Sequence, residues 1–150
     1  MTSRIQNPHA LAPEAVEAMV ALERSLVHSG LDHSLLELVR FRVSQINGCA
    51  FCLHMHSSDL RRHGETELRL YMLTAWREST LYTDRERAAL GWAEALTHLP
   101  VTQAPDADYD RLAAAFTPAE QVWLTMAIGA INTWNRVQVG FRVPHPVDDG

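Results

Sequence analysis

The sequence predicts an all-helical fold in a single domain. Its 150 residues fall within the usual size of one domain. Apolar residues recur at spacings of three and four along most of the chain, which is the helical period, and no segment shows the long apolar and polar alternation of a strand. We expect a bundle of six or seven helices over residues 13–142, preceded by a flexible arm, 1–12, and followed by a C-terminal tail, 143–150.

The first two predicted helices have clear apolar stripes. The first begins at Pro13 and ends by Gly30. Its apolar positions are Val16, Met19, Val20, Leu22, Leu26 and Val27. For the second helix, Ser34 followed by Glu37 three positions later predicts a capping box, in which each side chain satisfies a free backbone N–H of the first turn. Its apolar positions are Leu35, Val39, Val43 and Ile46.

The dipeptide Asn47-Gly48 predicts a tight turn between the second and third helices. The third helix, CAFCLHMHSSDLRRH, ends at Gly64. Its first residues include Cys49 and Cys52, so we expect both thiols at a helix N-terminus.

The second half of the chain predicts the remaining helices. ELRLYMLTAWRES is followed by TDRERAALGWAEALTHL, which Thr83 and Glu86 open as a capping box, and then by DYDRLAAAF. The last helix begins with a second box, Thr117 and Glu120, and its apolar arc is wider than one stripe. We expect this helix to be buried on two sides, against its own core and against another subunit, and therefore predict a homo-oligomer.

The composition excludes several function classes. The net charge is -5 and the sequence contains no Lys, so we expect no nucleic-acid partner, because phosphate binding needs a concentrated basic face. No apolar run approaches the roughly 18 residues of a membrane span, and the first residues lack the pattern of a secretion signal. We expect no membrane association and a cytoplasmic location.

Three reactive side chains share one helical face. Cys49, Cys52 and His56 stand at positions i, i+3 and i+7 of the third helix. In a reducing compartment a pair of cysteines predicts redox or metal chemistry more than a structural disulfide. A thiol reacts as its thiolate, and both the helix N-terminus and His56 can favour that form.

Three simpler interpretations of these residues stay open. The cysteines and two of His54, His56 and His63 could form a zinc site, although one short helix gives a poor tetrahedron. Both cysteines could be small buried apolar residues. Glu37, twelve positions before Cys49, could be a capping carboxylate.

The segment from Glu37 to His56 resembles the core motif of the AhpD-like alkylhydroperoxidases, within the carboxymuconolactone decarboxylase superfamily. That motif is a glutamate, eleven residues, CxxC, three residues and a histidine, and Glu37, Cys49, Cys52 and His56 fill it. The later INTWNRVQVGFR is similar to the C-terminal helix of the family. The resemblance covers about residues 20 to 142 and implies a helical, oligomeric peroxidase with neither cofactor nor metal.

The resemblance also implies a role for each residue. Cys52 attacks the hydroperoxide, Cys49 resolves the sulfenic acid as a disulfide, and His56 and Glu37 relay the proton. A dithiol donor, such as a lipoyl protein or thioredoxin, must then reduce the disulfide. In CxxC motifs at helix starts the first cysteine is generally the more exposed, which favours Cys49 as the attacking thiol instead.

One position departs from the family pattern. Members of the family carry a second histidine directly before the second cysteine, where this chain has Phe51. The relay is then shorter, or His54 replaces part of it, and an apolar site would favour hydrophobic peroxides. Two alternative functions stay open: a decarboxylase like the muconolactone branch of the superfamily, and a redox sensor without turnover.

Overall fold

Helices make up the regular structure of this computed structural model, which describes residues 2–146. The described residues contain eight α-helices and two 3-10 helices, Pro8–Leu11 and Leu73–Ala75. The α-helices are α1 (Pro13–Leu26), α2 (His33–Asn47), α3 (Ala50–Arg62), α4 (Glu67–Met72), α5 (Asp84–Thr97), α6 (Leu99–Thr102), α7 (Asp106–Ala115) and α8 (Pro118–Phe141). The predicted all-helical class is confirmed. The additional helix is α6, whose four residues are too few for a period to be visible in the sequence.

The first residues of three helices show which of the predicted capping boxes are present. Both later capping boxes are present, Thr83 with Glu86 and Thr117 with Glu120. The predicted box at Ser34 is wrong. Asp32 caps α2 instead, its carboxylate accepting a hydrogen bond from the Leu35 N–H at 3.2 Å. An ionised carboxylate at that position satisfies the free N–H more strongly than a serine would, which leaves Glu37 available for the interior.

Helix α2 lies at the centre of the molecule and packs against α3, α5 and α8. It is buried on two sides. One side of α2 joins the main core through Val39 and Val43. Helices α1, α5, α7 and α8 and both cysteines also contribute to this core. The other side joins a smaller cluster with α3, α4 and α5 through Leu38 and Phe41.

A tight turn joins α2 to α3 and determines where the cysteines lie. Gly48 ends α2 with a φ of 64°, in the left-handed region that glycine adopts without the steric cost of a Cβ. Cys49 follows in an extended conformation as the N-cap of α3. The predicted turn and the helix N-terminus at the cysteines are both present.

The segment before α1 contacts the end of α8. The Arg4 N–H donates to the carbonyl of Phe141 at 2.9 Å, and the His9 ring meets Trp134 edge-on with centroids 5.8 Å apart. Of the predicted terminal segments, residue 1 and residues 147–150 lie outside the described residues. Among the helices described, none combines the length and the hydropathy needed to cross a bilayer.

Candidate active site

The four residues that the sequence singles out are all buried at the packing of α2 against α3. Cys52 and His56 lie on the buried face of α3, Cys49 caps that helix, and Glu37 projects from α2. His56 Nδ1 and Glu37 Oε2 are 2.7 Å apart. The structure therefore brings the carboxylate into direct contact with the histidine, which the sequence alone does not reveal.

Glu37 is a buried carboxylate that stays ionised. Burial alone would raise its pKa, but the hydrogen bond with His56, the charge of His56 in its protonated form and the charge of Arg40 outweigh this, so that the pKa falls to about 2. Arg40 Nη1 donates to the second carboxylate oxygen at 2.6 Å. Both carboxylate oxygens of Glu37 thus have a hydrogen-bond partner. The side chain points into the core and does not cap α2.

The contact with Glu37 defines the state of the His56 ring. An ionised carboxylate can only accept, so Nδ1 carries the proton and donates it to Glu37. In the neutral ring Nε2 then has a free lone pair. That atom is buried and has no hydrogen-bond partner among the described residues. A buried nitrogen without a partner is a position where a thiol or a substrate hydroxyl can bind or deliver a proton.

The two sulfur atoms are 2.6 Å apart, and neither cysteine is in a disulfide. Geometry alone allows either thiol to donate in this contact. The Cys52 N–H donates to Cys49 Sγ at 3.3 Å, and the positive end of α3 lies beside the same atom. The negative charge is therefore favoured on Cys49, with the Cys52 thiol as donor.

The pKa values of the two thiols move apart for this reason. The hydrogen bond from the Cys52 thiol lowers the pKa of Cys49 to about 7, against the opposing effect of burial, with help from backbone N–H groups and Asn135. Donation to Cys49, burial and the charge of Cys49 all raise the pKa of Cys52. In the ionised form of the pair, Cys49 is thus the thiolate and accepts a hydrogen bond from the Cys52 thiol.

Helix α8 supplies a polar support for this pair. The buried Asn135 amide donates to Ser44 Oγ at 3.1 Å, and its oxygen accepts from Asn47 at 2.9 Å. Asn135 also lowers the pKa of both cysteines through hydrogen bonds, and Ser44 does so for Cys52. No separate role was predicted for these residues, although Asn135 lies within the segment that carried the family resemblance.

A second buried network extends from Glu37 towards α1. Arg40 Nη2 donates to Glu23 at 2.5 Å, and the indole N–H of Trp134 donates to the other oxygen of Glu23 at 3.1 Å. The hydrogen bonds therefore run from Trp134 through Glu23, Arg40 and Glu37 to His56. No part in the site was predicted for Arg40, Glu23 and Trp134, because residues that are hydrogen-bonded here lie up to 111 positions apart in the sequence.

Two cavities reach the cysteines from different directions. The first, of about 460 Å³, is lined by Cys52 and His56 together with mainly apolar side chains, among them Met55 and Ile131. The second, of about 420 Å³, is lined by Cys49 and by residues at the end of α8, including Arg142. Phe51 lines both. Each sulfur thus has its own approach.

The histidines considered as zinc ligands or as a second relay have other neighbours. The His54 ring stacks on His145, with centroids 5.7 Å apart. His63 lies at the far end of α3 beside His33, with centroids 4.6 Å apart. Of the three candidates, His56 is the one that lines the cavity with Cys52.

Comparisons with known proteins found a matching family profile, similar sequences and a similar structure. A profile of the Carboxymuconolactone decarboxylase family matches residues 13–95. The chain is 40% identical to the uncharacterized protein YdfG of Bacillus subtilis (strain 168) over 131 residues, which are 87% of this chain and 89% of that protein. It is 44% identical to alkyl hydroperoxide reductase AhpD of Maricaulis maris (strain MCS10) over 41 residues, 27% of this chain and 24% of that protein.

A solved structure covers the whole fold. The protein of unknown function ATU0492 from Agrobacterium tumefaciens, regarded as a candidate antioxidant defence protein of the AhpD type, superposes with a TM-score of 0.93. The two sequences are 48% identical, and the superposition covers 98% of this chain and 100% of that chain. The similarity therefore extends over the complete helical architecture.

Proposed function

The chain belongs to the carboxymuconolactone decarboxylase family as an AhpD-like member, and we propose that it reduces hydroperoxides with Cys49 and Cys52. One observation carries the proposal. Glu37 holds the Nδ1 proton of His56 and leaves Nε2 buried, with no hydrogen-bond partner within residues 2–146, in a ring that lines the same cavity as Cys52. That is the state in which a histidine can accept a proton from a thiol.

The first step forms the attacking thiolate. When Cys49 carries its own proton and a hydroperoxide occupies the cavity, Cys52 gives up its proton to Nε2 of His56, and Glu37 stabilises the resulting imidazolium. The family assigns the attack to Cys52, and the shared cavity with His56 supports that assignment. The raised pKa of Cys52 explains why a base is needed at this position.

The chemical steps balance with one hydroperoxide and two thiols. The Cys52 thiolate attacks the terminal peroxide oxygen, the O–O bond breaks, and the alkoxide leaves with the proton of His56 as an alcohol. The Cys49 thiolate then attacks the Cys52 sulfenic acid, so that a disulfide forms and hydroxide leaves, becoming water with a solvent proton. After Cys52 is oxidised, the backbone N–H groups of the first turn of α3 and the positive end of that helix still favour the thiolate of Cys49.

A dithiol donor completes the cycle by thiol-disulfide exchange. The cavity lined by Cys49 offers that donor an approach separate from the peroxide cavity. Attack of one donor thiol on Cys49 would release Cys52 as the leaving thiolate, which takes up the proton that the donor thiol loses. The second donor thiol then closes the donor's own disulfide and returns Cys49 to its thiol form. A lipoyl protein and thioredoxin are the donor classes that we propose to compare.

Matched serine variants test the proposal. Cys52→Ser is expected to abolish hydroperoxide consumption in the presence of dihydrolipoamide or thioredoxin. Cys49→Ser is expected to consume one equivalent and to accumulate a sulfenic acid on Cys52, detected by mass analysis with a sulfenic-acid probe. Ala50→Ser is the control. It introduces the same hydroxyl group at an exposed position between the two cysteines and is expected to retain turnover.

Each other outcome has a definite meaning. Full turnover by Cys52→Ser would contradict the proposal. A sulfenic acid that accumulates on Cys49 in Cys52→Ser would assign the attack to Cys49. Oxidation of the unchanged chain by one equivalent of peroxide, with no recovery by either donor, would identify a redox sensor instead of an enzyme.

A further inference from the structure

Two histidines and one aspartate meet on the surface where α2 begins and α3 ends. His33 is the first residue of α2, and Asp59 and His63 are one turn apart at the end of α3. His33 Nε2 lies 2.9 Å from Asp59 Oδ2, and His63 Nδ1 lies 3.6 Å from the same oxygen. One ligand atom from each residue lies within 4.8 Å of those of the other two.

We propose that His33, Asp59 and His63 bind a divalent transition-metal ion, with Zn²⁺ as the probe. Two imidazoles and a carboxylate form a donor set that suits zinc and its neighbours in the first transition row. With metal-ligand distances of about 2.0–2.2 Å, neighbouring ligand atoms of a tetrahedron are about 3.3–3.6 Å apart. The distances of 2.9 and 3.6 Å to the aspartate oxygen are close to that spacing.

The surroundings favour access and hold the ligands in position. The side chains of His33 and His63 are 53% and 52% exposed, so an ion and a water ligand can reach them. Asp32 fixes the first turn of α2 and with it the backbone of His33. The ion would replace the hydrogen bond from His63 Nδ1 to the backbone carbonyl of Asp59, because a nitrogen that binds a metal carries no proton. The positive ion would be favoured by the C-terminus of α3 and disfavoured by the N-terminus of α2, so its affinity must come from the three ligands.

Binding would link the two helices that carry the candidate active site. Glu37 lies one turn after His33 on α2, and His56 lies one turn before Asp59 on α3. An ion that bridges the helices stabilises only the folded chain, and therefore raises its melting temperature. This site is independent of the proposed peroxidase activity, because it uses none of the four reactive residues.

The test must separate this cluster from the thiols, which also bind zinc. The parent is therefore the full chain with Cys49→Ser and Cys52→Ser. Zinc titration by calorimetry is expected to give one ion per chain, with a rise in melting temperature. His33→Gln and His63→Gln are each expected to lower the affinity by more than about tenfold, since even the loss of an outer-shell partner costs about 10–100-fold.

His98→Gln serves as the control. His98 is exposed, and in the sequence it follows α5, whereas the three proposed ligands all precede that helix. It is expected to bind zinc like the parent. The proposal is overturned if the parent shows no saturable zinc binding. It is equally overturned if His33→Gln and His63→Gln bind zinc as the parent does, and Asp59→Asn provides a third check by the same titration.

Discussion

At the scale of single residues, Glu37 combines burial with a lowered pKa. A buried carboxylate normally becomes easier to protonate, yet the partners of Glu37 reverse that tendency and lower its pKa to about 2. The ionised form fixes the proton of His56 on Nδ1. The chemistry proposed for Cys52 therefore depends on the charge of a residue that does not touch the sulfur.

The lowered pKa of Glu37 predicts a specific loss of stability in acid. A group whose pKa falls on folding contributes stability above its unfolded pKa, and loses it as the pH drops through the folded value. The change from 4.5 to about 2 corresponds to about 3 kcal/mol of unfolding free energy lost between about pH 5 and about pH 2. Glu37→Gln, which cannot ionise, is expected to lack this component.

Urea unfolding of both proteins across that pH range measures the difference. Other carboxylates with lowered pKa values, such as Glu94, contribute equally to both curves and cancel. Parallel curves for the unchanged chain and Glu37→Gln would contradict the assignment of a strongly lowered pKa to Glu37.

The residues of the site differ in how far the sequence reveals them. Cys49, Cys52 and His56 could be predicted, because all three belong to one helix and their spacing is local. The contact of Glu37 with His56 joins two helices, so its prediction depended on family resemblance. The opposite pKa shifts of the two thiols depend on the N-cap geometry and on Asn135, neither of which spacing can specify.

At the scale of elements, α2 carries a polar stripe through the core. The stripe consists of four residues at helical spacings of three and four: Glu37, Arg40, Ser44 and Asn47. Each has a hydrogen-bond partner on another helix or within the stripe. The apolar residues around them define the helix in sequence and conceal this pattern. A polar stripe within a buried helix is a signal that sequence analysis could have used.

Arg40 is predicted to act as a positioning residue for Glu37. Its planar guanidinium spans Glu37 and Glu23 with separate nitrogens, and the single ammonium of lysine cannot reproduce both contacts. Arg40→Lys is expected to lower kcat for hydroperoxide reduction by about 10–100-fold, with a smaller effect on KM. The acid limb of the pH–activity profile is expected to move to higher pH, because Glu37 loses part of the hydrogen bonding to Arg40 that lowers its pKa.

Arg42→Lys is the matched control on the same helix. Arg42 pairs with Glu94 on α5, away from the cysteines, so this variant is expected to retain the kcat and the pH profile of the unchanged chain. If both lysine variants lose the same activity, or if neither does, Arg40 has no special part in positioning Glu37.

The helix boundaries were predictable where the signals are local. Thr83 and Thr117 open their helices as expected because a capping box requires only four consecutive residues. At α2 the N-cap is Asp32 and not the predicted Ser34. A capping box at Ser34 requires Glu37, whose carboxylate contacts His56 in the core instead. The choice between caps therefore depended on tertiary structure.

At the scale of the whole molecule, the fold class followed from periodicity, whereas the connection between distant segments did not. Trp134 and Glu23 are hydrogen-bonded across 111 positions, and Arg4 and Phe141 bring both ends of the described chain together. Such contacts depend on how helices pack around α2. The homo-oligomer predicted from the sequence also concerns packing at this scale, and it stays a prediction.

The outer face of α8 is the surface that we expect to form the subunit contact. Val122 and Met126 are 63% and 45% exposed and lie one turn apart, and Gly129 continues the same face. The opposite face of α8 is buried in the core through Leu124 and Ile131. Burying a second apolar face against another copy would remove it from water, and the small Gly129 would allow the backbones to approach closely.

Met126→Glu is expected to weaken this association, because a charge in an apolar interface loses its hydration without gaining a partner. Light scattering after size-exclusion chromatography should give a multiple of 16.9 kDa for the unchanged chain and a mass closer to 16.9 kDa for the variant. Val101→Glu adds the same charge at an apolar residue that is 86% exposed on α6 and should leave the mass unchanged. A mass of one chain for the unchanged protein would refute the oligomer, and an unaltered mass for Met126→Glu would exclude this face of α8.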